Sequence, residues 1–170
     1  MRRATIAIVT VPAAIAVGMS AVIRPSPALI WNASASVPIG LYRVQPIDRP
    51  RVGDLVVATP PEPLARFLAE RRYLPLGVPL LKHIAALPRQ TICRIGHTIS
   101  VDGTVIAEAF DRDRQGRDLP VWQGCGIVAE GEVFLINRHP EDSLDGRYFG
   151  PLPASGIAGL AIPVWTAKGE

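Results

Sequence analysis

Three stretches of the chain hold residues that could do chemistry together. In Asn32-Ala33-Ser34-Ala35-Ser36-Val37-Pro38-Ile39-Gly40-Leu41-Tyr42, two serines stand two residues apart, and a proline and a glycine then restrict the backbone. Such a turn can hold a serine hydroxyl rigid and partly exposed, although a polar linker leaving an apolar segment would read the same way. The second stretch is marked by the scarcity of lysine: of 18 basic residues, only Lys82 and Lys168 are lysines. Arginine stays protonated at any working pH, so chemistry that needs a free amine must use one of these two. Lys168 lies in the last three residues, where chains fray. Pro79 to Leu87 is apolar apart from Lys82 and His83. As a strand it sets Leu80, Lys82, Ile84 and Ala86 on one face, the lysine between apolar neighbours. The third stretch is Glu141-Asp142-Ser143-Leu144-Asp145-Gly146-Arg147-Tyr148-Phe149-Gly150-Pro151. Taken alone it could be a turn in which Ser143 and Asp145 bond the local backbone. A serine hydroxyl is a weak nucleophile that needs an adjacent base. A lysine serves as that base only when neutral, and desolvation moves its pKa in that direction.

Composition narrows the rest. A chain of 170 residues is typical of one domain. It is 48% hydrophobic and 19% charged, with mean hydropathy +0.24, ample for a core. The net charge of +3 is mild and the arginines are scattered, which argues against nucleic-acid binding. His83, His97 and His139 have no metal-ligand spacing, and nothing implies a metal or another cofactor. Cys93 and Cys125 are the only cysteines and form no CxxC motif. Outside the cytoplasm they are expected to form a disulfide, the alternative being two buried thiols. Closing that loop would contribute roughly 3–4 kcal/mol in the chain-entropy model.

The elements that must position these residues follow from patterning. Met1-Arg2-Arg3 precedes Ala4 to Ile23, a run without a charge, closed by Arg24. Its length is about one bilayer core, about 30 Å as a helix. The arginines place the N-terminus in the cytoplasm by the positive-inside rule. Residues 1–24 therefore read as a membrane anchor; a signal peptide cleaved near Ala16-Val17-Gly18 is the alternative. Residues 25–170 would form a domain on the far side. Ser36 follows Ile23 so closely that even an extended chain keeps it within about 45 Å of the bilayer. Gly40 to Gln45, Gly53 to Ala58, Gln90 to Ile95, Glu132 to Asn137 and Ser155 to Trp165 read as strands. Thr98 to Ile106 is a hairpin turning at Asp102-Gly103. Pro63 to Arg72 is a short amphipathic helix, either packed on the domain or resting on a membrane. Asp111 to Gln123 is a long polar loop. With no crossover helix after the anchor, the domain is expected to be mainly β.

Set side by side, the three stretches are similar to those of the signal peptidase I clan of membrane-bound serine peptidases, and most of all to its conjugal-transfer pilin-processing (TraF) branch. The resemblance covers the anchor, Ser36 to Tyr42, Leu81-Lys82-His83-Ile84-Ala85-Ala86-Leu87-Pro88, and Asp145-Gly146-Arg147-Tyr148-Phe149-Gly150. It implies a coiled β-sheet domain behind one N-terminal transmembrane helix. It also implies Ser36 as nucleophile, Lys82 as general base, Ser143 as the hydroxyl bonding the amine, and Asp145, paired with Arg147, as the ordering carboxylate. Ser34 and the Ser36 N–H would form the oxyanion hole. The implied location is the bacterial inner membrane with the domain in the periplasm, and the implied partner is a membrane-inserted pilin precursor, cleaved and released by water or cyclised by its own amine. A general signal peptidase and a non-catalytic component of the transfer apparatus are the rival readings. Pro38 stands one residue earlier than in secretory signal peptidases. His83 replaces an arginine, Pro88-Arg89-Gln90 replaces Pro-Gly-Asp, and Gly146 replaces a common serine.

Overall fold

Apolar residues that alternate over four to seven positions cannot all be buried by one helix face, and here they assemble into two antiparallel sheets. The structure, a computed structural model, describes residues 28–167 and, before them, Pro12 alone. The predicted span at Ala4 to Ile23 and the second lysine, Lys168, thus lie outside the described residues. Among those described, no helix is long and apolar enough to cross a membrane.

The larger sheet contains β1 (Leu29–Asn32), β2 (Gly40–Gln45), β3 (Leu55–Ala58), β4 (Leu80–Ala86), β9 (Glu132–Ile136), β10 (Leu152–Pro153) and β11 (Ile157–Thr166). Their spatial order is β1-β2-β11-β3-β4-β9-β10. The smaller sheet, ordered β7-β6-β5-β8, is built from β5 (Thr91–Ile95), β6 (Thr98–Val101), β7 (Thr104–Glu108) and β8 (Gly124–Ile127). The last strand of the chain, β11, lies between β2 and β3 and pairs with both, shifting register within each ladder. Such irregularities bend and twist a sheet, which curls this one. The domain is mainly β, with helices α1 (Glu62–Glu70) and α2 (Gly146–Phe149).

Three clusters fill the interior. Ile92 and Ile99 of the small sheet meet Ala86, Phe134 and Ile136 of the large one, with Tyr148 between them. Val56, Ala58, Ile84, Val133 and Leu135 form a second cluster. Val37, Tyr42, Val57, Leu81 and Ala161 form a third, which ties the residue after Ser36 to the strand that carries Lys82. Helix α1 packs on the domain: Leu68 is buried, and Phe67 sits edge-on against Phe149 with ring centroids 6.1 Å apart.

Most expected strands lie within a residue or two of their predicted bounds. Strands β1, β8 and β10 and helix α2 were not expected. Residues 111–123 form no strand beyond a bridge between Arg112 and Asp118, and side-chain bonds such as Tyr73 to Asp113 and Trp122 to the Gly146 carbonyl tie them to the domain. Cys93 and Cys125 face each other in the β5–β8 register with their Sγ atoms 2.00 Å apart, a bonding distance.

Candidate active site

Ser36 sits on the turn between β1 and β2, and the turn is fixed from beneath. Asn32, buried at the end of β1, donates through Nδ2 to the carbonyls of Ser34 at 2.8 Å and Val37 at 3.0 Å. Tyr42 Oη donates to the Pro38 carbonyl at 2.6 Å. Val37 drives its side chain into the core, so the neighbouring Ser36 is left half-buried at the surface. Gly40 permits the close approach of β2 to β11, because a Cβ there would lie 2.1 Å from the Trp165 carbonyl oxygen.

The hydroxyls are arranged in a chain. Ser34 Oγ donates to Asn32 Oδ1 at 2.9 Å and lies 2.8 Å from Ser36 Oγ. Since the single Ser34 proton goes to Asn32, Ser36 is the donor to Ser34. Among the described residues no protein acceptor takes the Ser36 N–H.

Lys82 lies in the middle of β4, 4% exposed, and donates through Nζ to Ser143 Oγ at 2.6 Å. Burial lowers its pKa from an ordinary 10.5 to about 8; Asp145 works against that shift and Arg147 with it. Ser36, Ser34 and Lys82 line one cleft of about 550 Å³, closed on its far side by Leu68, Tyr73 and Leu144. No hydrogen bond joins Lys82 Nζ to Ser36 Oγ among the described residues.

The segment from Asn137 to Arg147 folds around one guanidinium. Arg147 holds Asp145 with two bonds, Nε to Oδ1 at 2.9 Å and a terminal nitrogen to Oδ2 at 3.1 Å. It also donates to the carbonyls of Asn137 at 2.6 Å and Glu108 at 3.1 Å, and to that of Glu141. Asp145 in turn caps α2 by accepting the Arg147 N–H. A charge pair this deep persists only when its remaining donors and acceptors are satisfied, as they are here. Gly146 lets the helix touch β9, since a Cβ would fall 2.7 Å from the Leu135 carbonyl oxygen. A serine at this position would collide with that backbone.

The pattern thus brings together Ser34 with Ser36, Lys82 with Ser143, and Asp145 with Arg147. Two buried residues escaped sequence reasoning. Asn137, wholly buried, donates through Nδ2 to the Ser36 carbonyl at 2.8 Å and the Leu81 carbonyl at 3.0 Å. Its Oδ1 accepts from the His83 N–H at 3.1 Å and lies 3.0 Å from His83 Nδ1. One amide therefore ties the serine turn to the lysine strand. Arg94, 1% exposed, donates to the Arg147 carbonyl at 2.6 Å and joins the small sheet to the same segment. The only prior signal of Asn137 was a polar residue ending an apolar strand. Asp142, a conceivable partner for His139 as base, pairs instead with Arg114.

Known proteins match most of this chain. The sequence model described as "Signal peptidase, peptidase S26" matches residues 1–166. A probable conjugal transfer protein TraF of Sinorhizobium fredii is 41% identical over 145 residues, 79% of this chain and 76% of that one. The conjugal transfer protein TraF of Agrobacterium fabrum is 39% identical over 147 residues, 79% of this chain and 81% of that one. A probable signal peptidase I-1 of Synechocystis is 30% identical over 113 residues, covering 66% of this chain and 53% of that one. With a buried lysine and a surface serine on one cleft and a match over 166 residues, the chain belongs to the peptidase S26 family of signal peptidases.

Proposed function

We propose that the chain is a membrane-anchored serine endopeptidase that processes a pilin precursor in conjugative plasmid transfer. Ser36 is the nucleophile and Lys82 its general base. The observation that carries this reading is the buried Lys82 amine, lowered to about 8 and opening on the cleft that holds Ser36. At pH 7 about one molecule in ten would hold that amine free. The transfer context comes from the relatives named TraF.

The steps follow from the groups present. The Ser36 hydroxyl turns from Ser34 toward Lys82, gives its proton to Nζ and attacks the scissile carbonyl. The oxyanion takes hydrogen bonds from the Ser36 N–H and from the Ser34 hydroxyl, which leaves Asn32 for it. One such donor is typically worth about 3–4 kcal/mol. The Lys82 ammonium then protonates the departing amine, leaving an ester on Ser36. A second nucleophile, water or an amine of the substrate, gives its proton to Lys82 and attacks the ester, and Lys82 returns that proton to the departing Ser36 oxygen as the acyl group is released. Ser143 holds Nζ in line throughout, and the Asp145–Arg147 pair fixes the segment that carries Ser143.

The substrate would enter as an extended strand. Among the described residues, β1 pairs with β2 alone and Leu80 to Lys82 of β4 has no β9 partner, so two strand edges border the cleft. Co-expression of the full chain with a candidate pilin from the same plasmid tests the reading. Mass spectrometry should find a shortened product, lighter by one further water if it is cyclic. A pilin left unprocessed by wild-type protein, as by Ser36→Ala, would refute it.

A further inference from the structure

Ser36 lines a second cleft, and it is the one residue common to both. This cleft, of about 390 Å³, lies beyond Ser36 from Lys82 and is walled by Pro38, Val52, Ile84, Ile106 and Ile136, with Arg138 at its rim. A polypeptide crossing Ser36 with its acyl side in the lysine cleft must continue here. We infer that this second cleft binds the segment following the scissile bond: an apolar side chain in the pocket, then a carboxylate on Arg138. The inference rests on the peptidase reading of Ser36.

The chemistry of the walls selects that occupant. The floor is aliphatic, so the buried side chain must be apolar. The charged or titratable groups facing the cleft are Arg138, His139 and His83, with no carboxylate among the described lining residues. His83 is engaged by Asn137. The Arg138 guanidinium, exposed at the rim, has no hydrogen bond or ion pair among the described residues. The adjoining groove shares Ile106, Arg138 and His139 with this one and brings in Glu108 and Glu141 beside the buried, Asp145-paired Arg147. A carboxylate is therefore favoured beside the unpaired Arg138.

The test separates the cleft from the catalysis. Full-length Ser36→Ala protein in detergent is titrated with short fluorescent peptides that begin with a free amine and an apolar residue. The next residue is Glu, Gln or Lys, with an amidated end; a further Gln peptide ending in a free carboxylate at that place tells a side-chain acid from a chain terminus. Exposed ion pairs are weak, so the Glu peptide should bind about fivefold more tightly than the Lys peptide. Arg138→Glu should reverse that order, and Ile106→Trp should fill the cleft and abolish binding while circular dichroism is unchanged. Equal affinities across the series, or a preference that survives Arg138→Glu, would overturn the inference. Cleavage of quenched peptides by wild-type protein is scored separately: its failure would count against the peptidase reading, while the titration still decides the cleft.

Discussion

The Lys82 amine is held against its preference for water, and that displacement can be measured in two ways. Neutral amine grows as pH rises through about 8, so activity should climb through that pH wherever base deprotonation limits the rate. Lys82→Arg keeps the charge but supplies no free base, and should process pilin no faster than Ser36→Ala while folding normally; near-normal processing would place the base elsewhere. The second measurement is stability. The folded pKa lies below the unfolded one, so between about 8 and 10.5 the unfolded chain binds more protons, and stability rises with pH across that window. Below it the fold carries a penalty of about 3 kcal/mol, at about 1.4 kcal/mol per unit. Lys82→Met removes the penalty at the loss of one hydrogen bond to Ser143. It should unfold at higher denaturant than wild type at pH 7, by about 2 kcal/mol, with the gap closing as pH approaches 10.5. Asn137 tests position rather than chemistry. Asn137→Ala removes both donors to the Ser36 and Leu81 carbonyls without adding a charge beside Lys82. Turnover should fall by roughly 100-fold, the usual cost of a 1 Å misplacement, with the pH midpoint of activity unchanged.

Among the elements, the edge strand β8 depends most on a covalent link. Its sequence Gly-Cys-Gly-Ile is exposed throughout, so almost nothing but backbone pairing and Cys125 holds it to β5. Thiol labelling of protein taken from the membrane under non-reducing conditions should find neither Cys93 nor Cys125 free; two labelled cysteines would refute the bond. The same composition hid β8 from sequence reading, because two glycines leave no alternation to detect. Strand β1 was hidden differently: four residues, mostly exposed, carry too few inward positions to show a period. Strands β4 and β9 were legible because their apolar residues are many, and β9 is buried on both faces. At the candidate site, Ser36 and Lys82 stood out by residue type and setting, whereas Ser143 stood out only through the family resemblance. Arg94 and Asn137 were not, since an arginine in a strand and an asparagine at its end give no sign of which distant carbonyls they will meet.

For the molecule as a whole, the proposed reading sets a direction across a membrane. A reporter fused after Glu170 should be active only in its periplasmic form; activity only in the cytoplasmic form would remove both the topology and the site assignment. The order of strands has a further consequence, one of timing. The hairpin bearing Ser36 belongs to β1 and β2, the lysine to β4 beside β3, and within the sheet these halves are joined through β11 alone. Strand β11 is the last stretch of the described chain to be synthesised. Until Ile157 to Thr166 slides between β2 and β3, Ser36 and Lys82 belong to two separate pieces of sheet, and long-range pairing of this kind is slow to form. On the proposed reading a nascent chain is therefore inert until β11 is made, and Ser36 meets Lys82 only once Ile157 to Thr166 has paired with both halves of the sheet.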